Sequence, residues 1–128
     1  MRAPDGGRPV VLVVDDDRDM RWLLQRVLEQ EGFSVIARAT GKAALASLGR
    51  RRPALLLLAM TLPDMSGLRV VRGARRIHPG IPIIVISATV NEGLVQECLR
   101  LGALAYLPKP FDLKEVLRLV RGAVARGS

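Results

Sequence analysis

LLLLAMTLPDMSG, Leu55 to Gly67, sets four consecutive leucines against a turn made of Pro63, Asp64, Ser66 and Gly67. A short apolar run closed by turn residues reads as a strand buried on both faces. In open parallel sheets, ligands and chemistry gather just beyond the carboxyl ends of such strands. The residue standing there is Ala59, whose methyl group can do no chemistry. The stretch therefore marks where a site should lie and withholds its reactive group.

Upstream, VVLVV at Val10 to Val14 is a second run of strand length, and it ends in three carboxylates, Asp15, Asp16 and Asp17. Met20, Leu23, Leu24, Val27 and Leu28 then recur at helical spacing up to Gln30, with Gly32 as a stop. Phe33 to Ala37 reads as another strand, and Gly41 to Leu48 as an alanine-rich helix. Downstream of the turn, Leu68, Val70, Val71 and Ala74 mark a helix ending near Ile77, and Ile81 to Ile86 a strand closed by Ser87, Ala88 and Thr89. A helix carrying Leu94, Val95, Cys98, Leu99 and Leu101 follows, with Gly102 at its end. Ala105 to Leu107 makes a brief fifth strand before Pro108, Lys109 and Pro110, and Asp112 is a good N-cap for a last helix reaching about Ala125. Arg118, Arg121 and Arg126 lie toward the negative pole of that helix. Five strands alternating with five helices predict an α/β domain with a parallel sheet covered on both faces. Residues 1–9, with two prolines and two glycines, are expected to form a flexible leader, and 10–126 one domain.

The composition suits one core: 128 residues, of which 49% are hydrophobic. No apolar run approaches the roughly 18 to 20 residues that span a bilayer, and the start has no signal-peptide block, so a soluble, cytoplasmic protein is expected. The single cysteine, Cys98, reads as a half-buried structural thiol. The net charge of +8 comes from arginines spread over many segments, and aromatics are only 3% of the chain, which argues against direct nucleic-acid binding.

At the strand ends the fold would gather the acidic triplet, Ala59, Ser87 and Lys109. Adjacent carboxylates repel unless solvent, a cation or a lysine offsets them. A hard ion such as Mg²⁺ suits oxygen ligands of that kind, and a hydroxyl with a lysine could hold phosphoryl oxygens. Each element alone has a plainer reading: Asp17 as a helix cap, Ser87 as a turn residue, Lys109 as a solvated lysine or as the neutraliser of Asp15 and Asp16. Their occurrence together, each at the end of a different strand, is the specific signal.

VLVVDDD at Val11 to Asp17, LPDMSGL at Leu62 to Leu68, VISA at Val85 to Ala88 and YLPKPFD at Tyr106 to Asp112 together resemble the CheY-like receiver domain of two-component response regulators, from Val10 to about Val124. The resemblance implies a three-layer, doubly wound (βα)5 fold of the flavodoxin-like type, strand order 2-1-3-4-5. It places a Mg²⁺ site on Asp15, Asp16 and the Thr61 backbone carbonyl, a switch hydroxyl on Ser87, a pocket lysine on Lys109 and an aromatic switch residue on Tyr106. It implies a sensor histidine kinase or phosphotransfer protein as one partner and an output domain or effector as another. The face made by the fourth helix, fifth strand and fifth helix, with Val90, Arg100, Tyr106, Lys114 and Arg118, would carry dimerisation or effector binding. The segments RIHPGIPIIVISA and LPKPFD look like those of receivers attached to nitrogen-regulator-type transcription activators or of hybrid sensor proteins.

One departure decides the mechanism. The family's phosphoacceptor aspartate corresponds to Ala59, and a methyl group cannot become an acyl phosphate. Asp64 matches a turn residue and is expected to point away from the pocket, and loss of an anionic ligand should weaken Mg²⁺ binding. Two histories give this pattern: a natural pseudo-receiver, or a variant whose acceptor aspartate was replaced. Two other functions stand beside the receiver: a Mg²⁺-dependent phosphatase-like enzyme with Asp15 as nucleophile and Asp17 as second carboxylate, and a basic nucleic-acid binder.

Overall fold

The computed structural model describes residues 7–88 and 91–127. Ten elements alternate along the chain: β1 (Val10–Val14), α1 (Arg18–Gln30), β2 (Ser34–Arg38), α2 (Gly41–Arg50), β3 (Leu55–Ala59), α3 (Gly67–Ile77), β4 (Ile83–Ser87), α4 (Glu92–Arg100), β5 (Ala105–Pro108) and α5 (Leu113–Gly127). The strands pair in parallel as one sheet, order β2-β1-β3-β4-β5, which is the expected topology. The step from β1 to β2 runs opposite to the steps from β2 onward. Right-handed crossovers therefore send α1 to one face and α2, α3 and α4 to the other.

Every residue of β1, β3 and β4 is buried, whereas β2 and β5 at the sheet edges are only partly covered. This is the burial that continuous apolar runs dictate for central parallel strands. The register steps toward one end: Val14 lies beside Leu58, Ala59 beside Ile86 and Ser87 beside Pro108. Asp15, Ala59, Ser87 and Lys109 thus arrive at one end of the sheet.

Several boundaries differ from the sequence reading, each for a local reason. β4 starts at Ile83 rather than Ile81, because Ile81 N–H closes a turn onto His78 O and Pro82 has no N–H to give. α1 and α4 start before their first apolar residue, since Asp17 accepts the N–H groups of Asp19 and Met20, and Asn91 that of Leu94. Asp112 caps α5 as expected, accepting Lys114 N–H at 2.9 Å. Sheet pairing begins at Pro9, inside the expected leader, because its carbonyl accepts Ser34 N–H. Residues 1–6 of that leader lie outside the described residues.

Cys98 is fully buried rather than half-buried, and burial pushes its thiol pKa up, with Glu97 adding to the effect. Of the three arginines assigned to the negative pole of α5, only Arg126 lies in the last turn. Arg118 pairs with Glu115, and Arg121 reaches Glu31 at the end of α1. Arg75 of α3, half-buried, donates to the carbonyls of Leu101 (2.7 Å), Gly102 (2.8 Å), Pro79 (3.2 Å) and Ile81. One guanidinium thereby ties α3 to the starts of β4 and β5, and burial lowers its pKa.

Candidate functional site

Asp15 continues β1 by one residue, its N–H bonded to Arg38 O, and it is fully buried. Its Oδ1 accepts Asp17 N–H at 3.0 Å and its Oδ2 accepts Lys109 Nζ at 3.0 Å. Arg21 Nη1 donates to its carbonyl at 2.8 Å. Lys109 reaches in from the loop after β5, its backbone N–H bonded to Ser87 O at 2.7 Å and its peptide to Pro110 cis. The structure therefore brings Asp15, Lys109 and the end of β4 together. The expected neutralisation of both aspartates is corrected to Asp15 alone: Asp16 is exposed, and Asp17 caps α1.

Ser87 is buried at the end of β4, Tyr106 is half-buried on β5 and Thr61 is exposed just past β3. Ala59 ends β3 almost wholly buried, and Met60 N–H bonds to Ile86 O at 2.9 Å. Gly67 is forced by packing, because a Cβ there would stand 2.7 Å from Ala59 O and Met60 Cα. The chain after position 59 is consequently folded tightly back, with Gly67 N–H bonded to Met60 O and Thr61 bridged to Ser66.

Asp64 does point away from the pocket, and it has a partner that the sequence reading missed. Its Oδ1 accepts Gly41 N–H at 2.8 Å and its Oδ2 accepts Lys42 N–H at 2.9 Å, while Thr40 Oγ1 accepts Ala43 N–H. The loop after β3 thus caps α2 from 22 residues away along the chain. The N–H groups of Lys42 and Gly41 hold the Asp64 carboxyl below its usual pKa. Asp64 was visible in the chain as a turn residue, but nothing local could show that it faced another helix.

These donors fit a divalent ion poorly. Each Asp15 oxygen already accepts one hydrogen bond, position 59 offers no oxygen, and only the exposed Asp16 and the Thr61 carbonyl add to the set. Among the described residues no group of three or more His, Cys, Asp or Glu side chains is arranged to hold a metal. The same commitments oppose Asp15 as a phosphatase nucleophile.

On the α4–β5–α5 face, Arg100 is exposed and paired with Glu97, Lys114 is exposed and Arg118 is paired with Glu115. Val90 lies outside the described residues. No helix of the described residues is long and apolar enough to cross a membrane.

The response regulator receiver domain family matches residues 11–121. This chain belongs to that family. It is a receiver domain of two-component response regulators, a class of generally non-enzymatic signalling domains, and neither the phosphatase nor the nucleic-acid alternative is favoured. The receiver is 36% identical over 118 residues to the DNA-binding transcriptional regulator NtrC of Salmonella typhimurium, covering 92% of this chain and 25% of that protein. It is 35% identical to sporulation initiation phosphotransferase F of Bacillus subtilis, covering 87% of this chain and 90% of that one. The chain therefore spans about a quarter of the NtrC relatives and most of the shorter one. Among solved structures, a CheY-like receiver domain from Methanospirillum hungatei superposes with a TM-score of 0.91 at 27% identity, covering 94% of this chain and 97% of that one. The CheX–CheY–BeF3–Mg²⁺ complex of Borrelia burgdorferi gives 0.85 at 30% identity, covering 94% and 93%.

Proposed function

We propose that this receiver signals through protein contacts in the cytoplasm without accepting a phosphoryl group. The observation that carries the reading is Ala59: the end of β3 presents a buried methyl where an acyl phosphate would have to form. No nearby aspartate substitutes for it, since Asp15 is held by Lys109 and Asp17 N–H, and Asp64 by α2. Asp15, Asp16 and the Thr61 carbonyl would take Mg²⁺ only weakly, and Ser87, Lys109 and Tyr106 keep their places as switch residues without a phosphoryl group to read. The partners are a sensor histidine kinase or phosphotransfer protein and an output domain or effector, contacted through Arg100, Tyr106, Lys114 and Arg118, the face that also suits a homodimer.

Incubation with acetyl phosphate and Mg²⁺, followed by intact-mass spectrometry, is expected to give no base-labile phosphoryl adduct. The Ala59→Asp variant under the same conditions is expected to give one. An adduct on any carboxylate of the unaltered chain would overturn the reading.

A further inference from the structure

At the sheet edge beside that pocket, α2 and the edge strand β2 border an open cleft of about 360 Å³, lined chiefly by Arg38, Thr40, Lys42, Ala46, Ser47 and Arg50. Three cations and two hydroxyls line it, and no carboxylate does. Arg38 is half-buried and held in place: Nε donates to Ser47 Oγ at 3.0 Å and Nη1 to Ala37 O at 2.9 Å. Those bonds leave three of its five N–H donors uncommitted. Among the described residues, Arg72, Arg100, Arg118 and Arg121 pair with glutamates, whereas Arg38 and Arg50 form no salt bridge and Lys42 has only the nearby charge of Asp64. Asp64, at the start of α2, is taken up by the N–H groups of Gly41 and Lys42.

A rigid, half-covered guanidinium without a counter-ion is a preorganised anion receptor, because its fork geometry is already set. Lys42, Ala46 and Arg50 follow one another at helical spacing, with the two cations about 12 Å apart along the axis. The long, flexible stems of Lys42 and Arg50 let the two cations converge on a ligand that carries two linked phosphates. The Thr40 and Ser47 hydroxyls each accept one bond inside the protein. The cleft is of ligand size and has no aromatic lining, which favours a small molecule over a nucleic-acid strand.

We propose that this cleft binds a small molecule bearing two adjacent phosphate groups, a diphosphate or a nucleoside diphosphate. The site is independent of position 59 and of phosphoryl transfer. Inorganic pyrophosphate and adenosine 5′-diphosphate are titrated into the full chain at low salt, with sulfate at matched ionic strength as control, following backbone amides of residues 38–50 by NMR. Saturable shifts confined to that segment are expected, with an apparent Kd below about 1 mM. A preference for adenosine diphosphate over pyrophosphate assigns the source to a nucleotide, and equal binding assigns it to the diphosphate alone. Lys42→Ala and Arg50→Ala, both exposed, are each expected to weaken binding roughly tenfold while leaving the fold intact. Equal shifts with sulfate, no saturation up to about 10 mM, or unchanged binding in both variants overturns the proposal.

Discussion

The pocket at the carboxyl ends of the strands and the cleft along α2 are both rich in charge, and they handle it in opposite ways. In the pocket the buried anion is compensated from within: Asp15 has Lys109 on one oxygen and a backbone N–H on the other. Along α2, among the described residues, Arg38 and Arg50 have no salt-bridge partner and Lys42 has only the nearby charge of Asp64. A closed set of charges stabilises the fold and resists new ligands. An open set adds little to stability and leaves binding capacity in reserve.

The largest expected effect comes from opening the closed set. Lys109→Met removes the cation from a fully buried carboxylate and is expected to cost about 3 kcal/mol in urea unfolding, with Lys109→Met/Asp15→Asn recovering part of it. No recovery in the double variant would mean that the pair is not a closed unit. Next comes Arg75→Met, which strips four backbone carbonyls of their shared donor; about 2 kcal/mol is expected, since the site is half exposed and water replaces part of the loss. By contrast Arg50→Ala, in the open set, is expected to change stability by less than about 0.5 kcal/mol.

Adding a third carboxylate tests the pocket from the other direction. Ala59→Asp is expected to tighten Mg²⁺ binding at least tenfold, about 1.4 kcal/mol, read by titration calorimetry or by the rise in melting temperature with Mg²⁺. Equal affinity in the two chains would show that Lys109, rather than the missing carboxylate, keeps the ion out.

A pH-dependent effect belongs to Asp64, whose carboxyl is held below its ordinary pKa of 3.8 by the N–H groups of Lys42 and Gly41. A depressed folded-state pKa means a contribution fully present above the unfolded value and lost as pH falls through the lower, folded one. Asp64→Asn is therefore expected to be the less stable chain at neutral pH, with the gap narrowing below about pH 4. A gap independent of pH would assign the effect to shape rather than charge.

The central strands were legible in the chain because their burial on both faces leaves unbroken apolar runs at Val10–Val14 and Leu55–Leu58. The positions of Asp15, Ser87 and Lys109 followed from topology. What stayed hidden was specified by distant partners rather than by neighbours in sequence. Asp64 looked like a turn residue and caps a helix that precedes it by two elements. Arg75, one of the arginines spread over many segments, binds carbonyls up to 27 residues away. Polar first turns concealed the starts of α1 and α4, since hydrophobic spacing is silent until the first inward residue. The α2 cleft escaped notice because the arginines read as scattered, and only the fold sets Arg38 of β2 beside Ser47 and Arg50 of α2.

Gly67 carries a practical consequence. Its hydrogen-side contact with Ala59 O and Met60 Cα, together with the Met60 to Ile86 bond, dictates the backbone at position 59 whatever side chain is attached there. Position 59 is thus a socket in a prebuilt frame. Aspartate, glutamate or asparagine placed there would each start from the backbone that alanine has, giving a matched set of proteins in which charge, reach and reactivity are varied at one point of the chain.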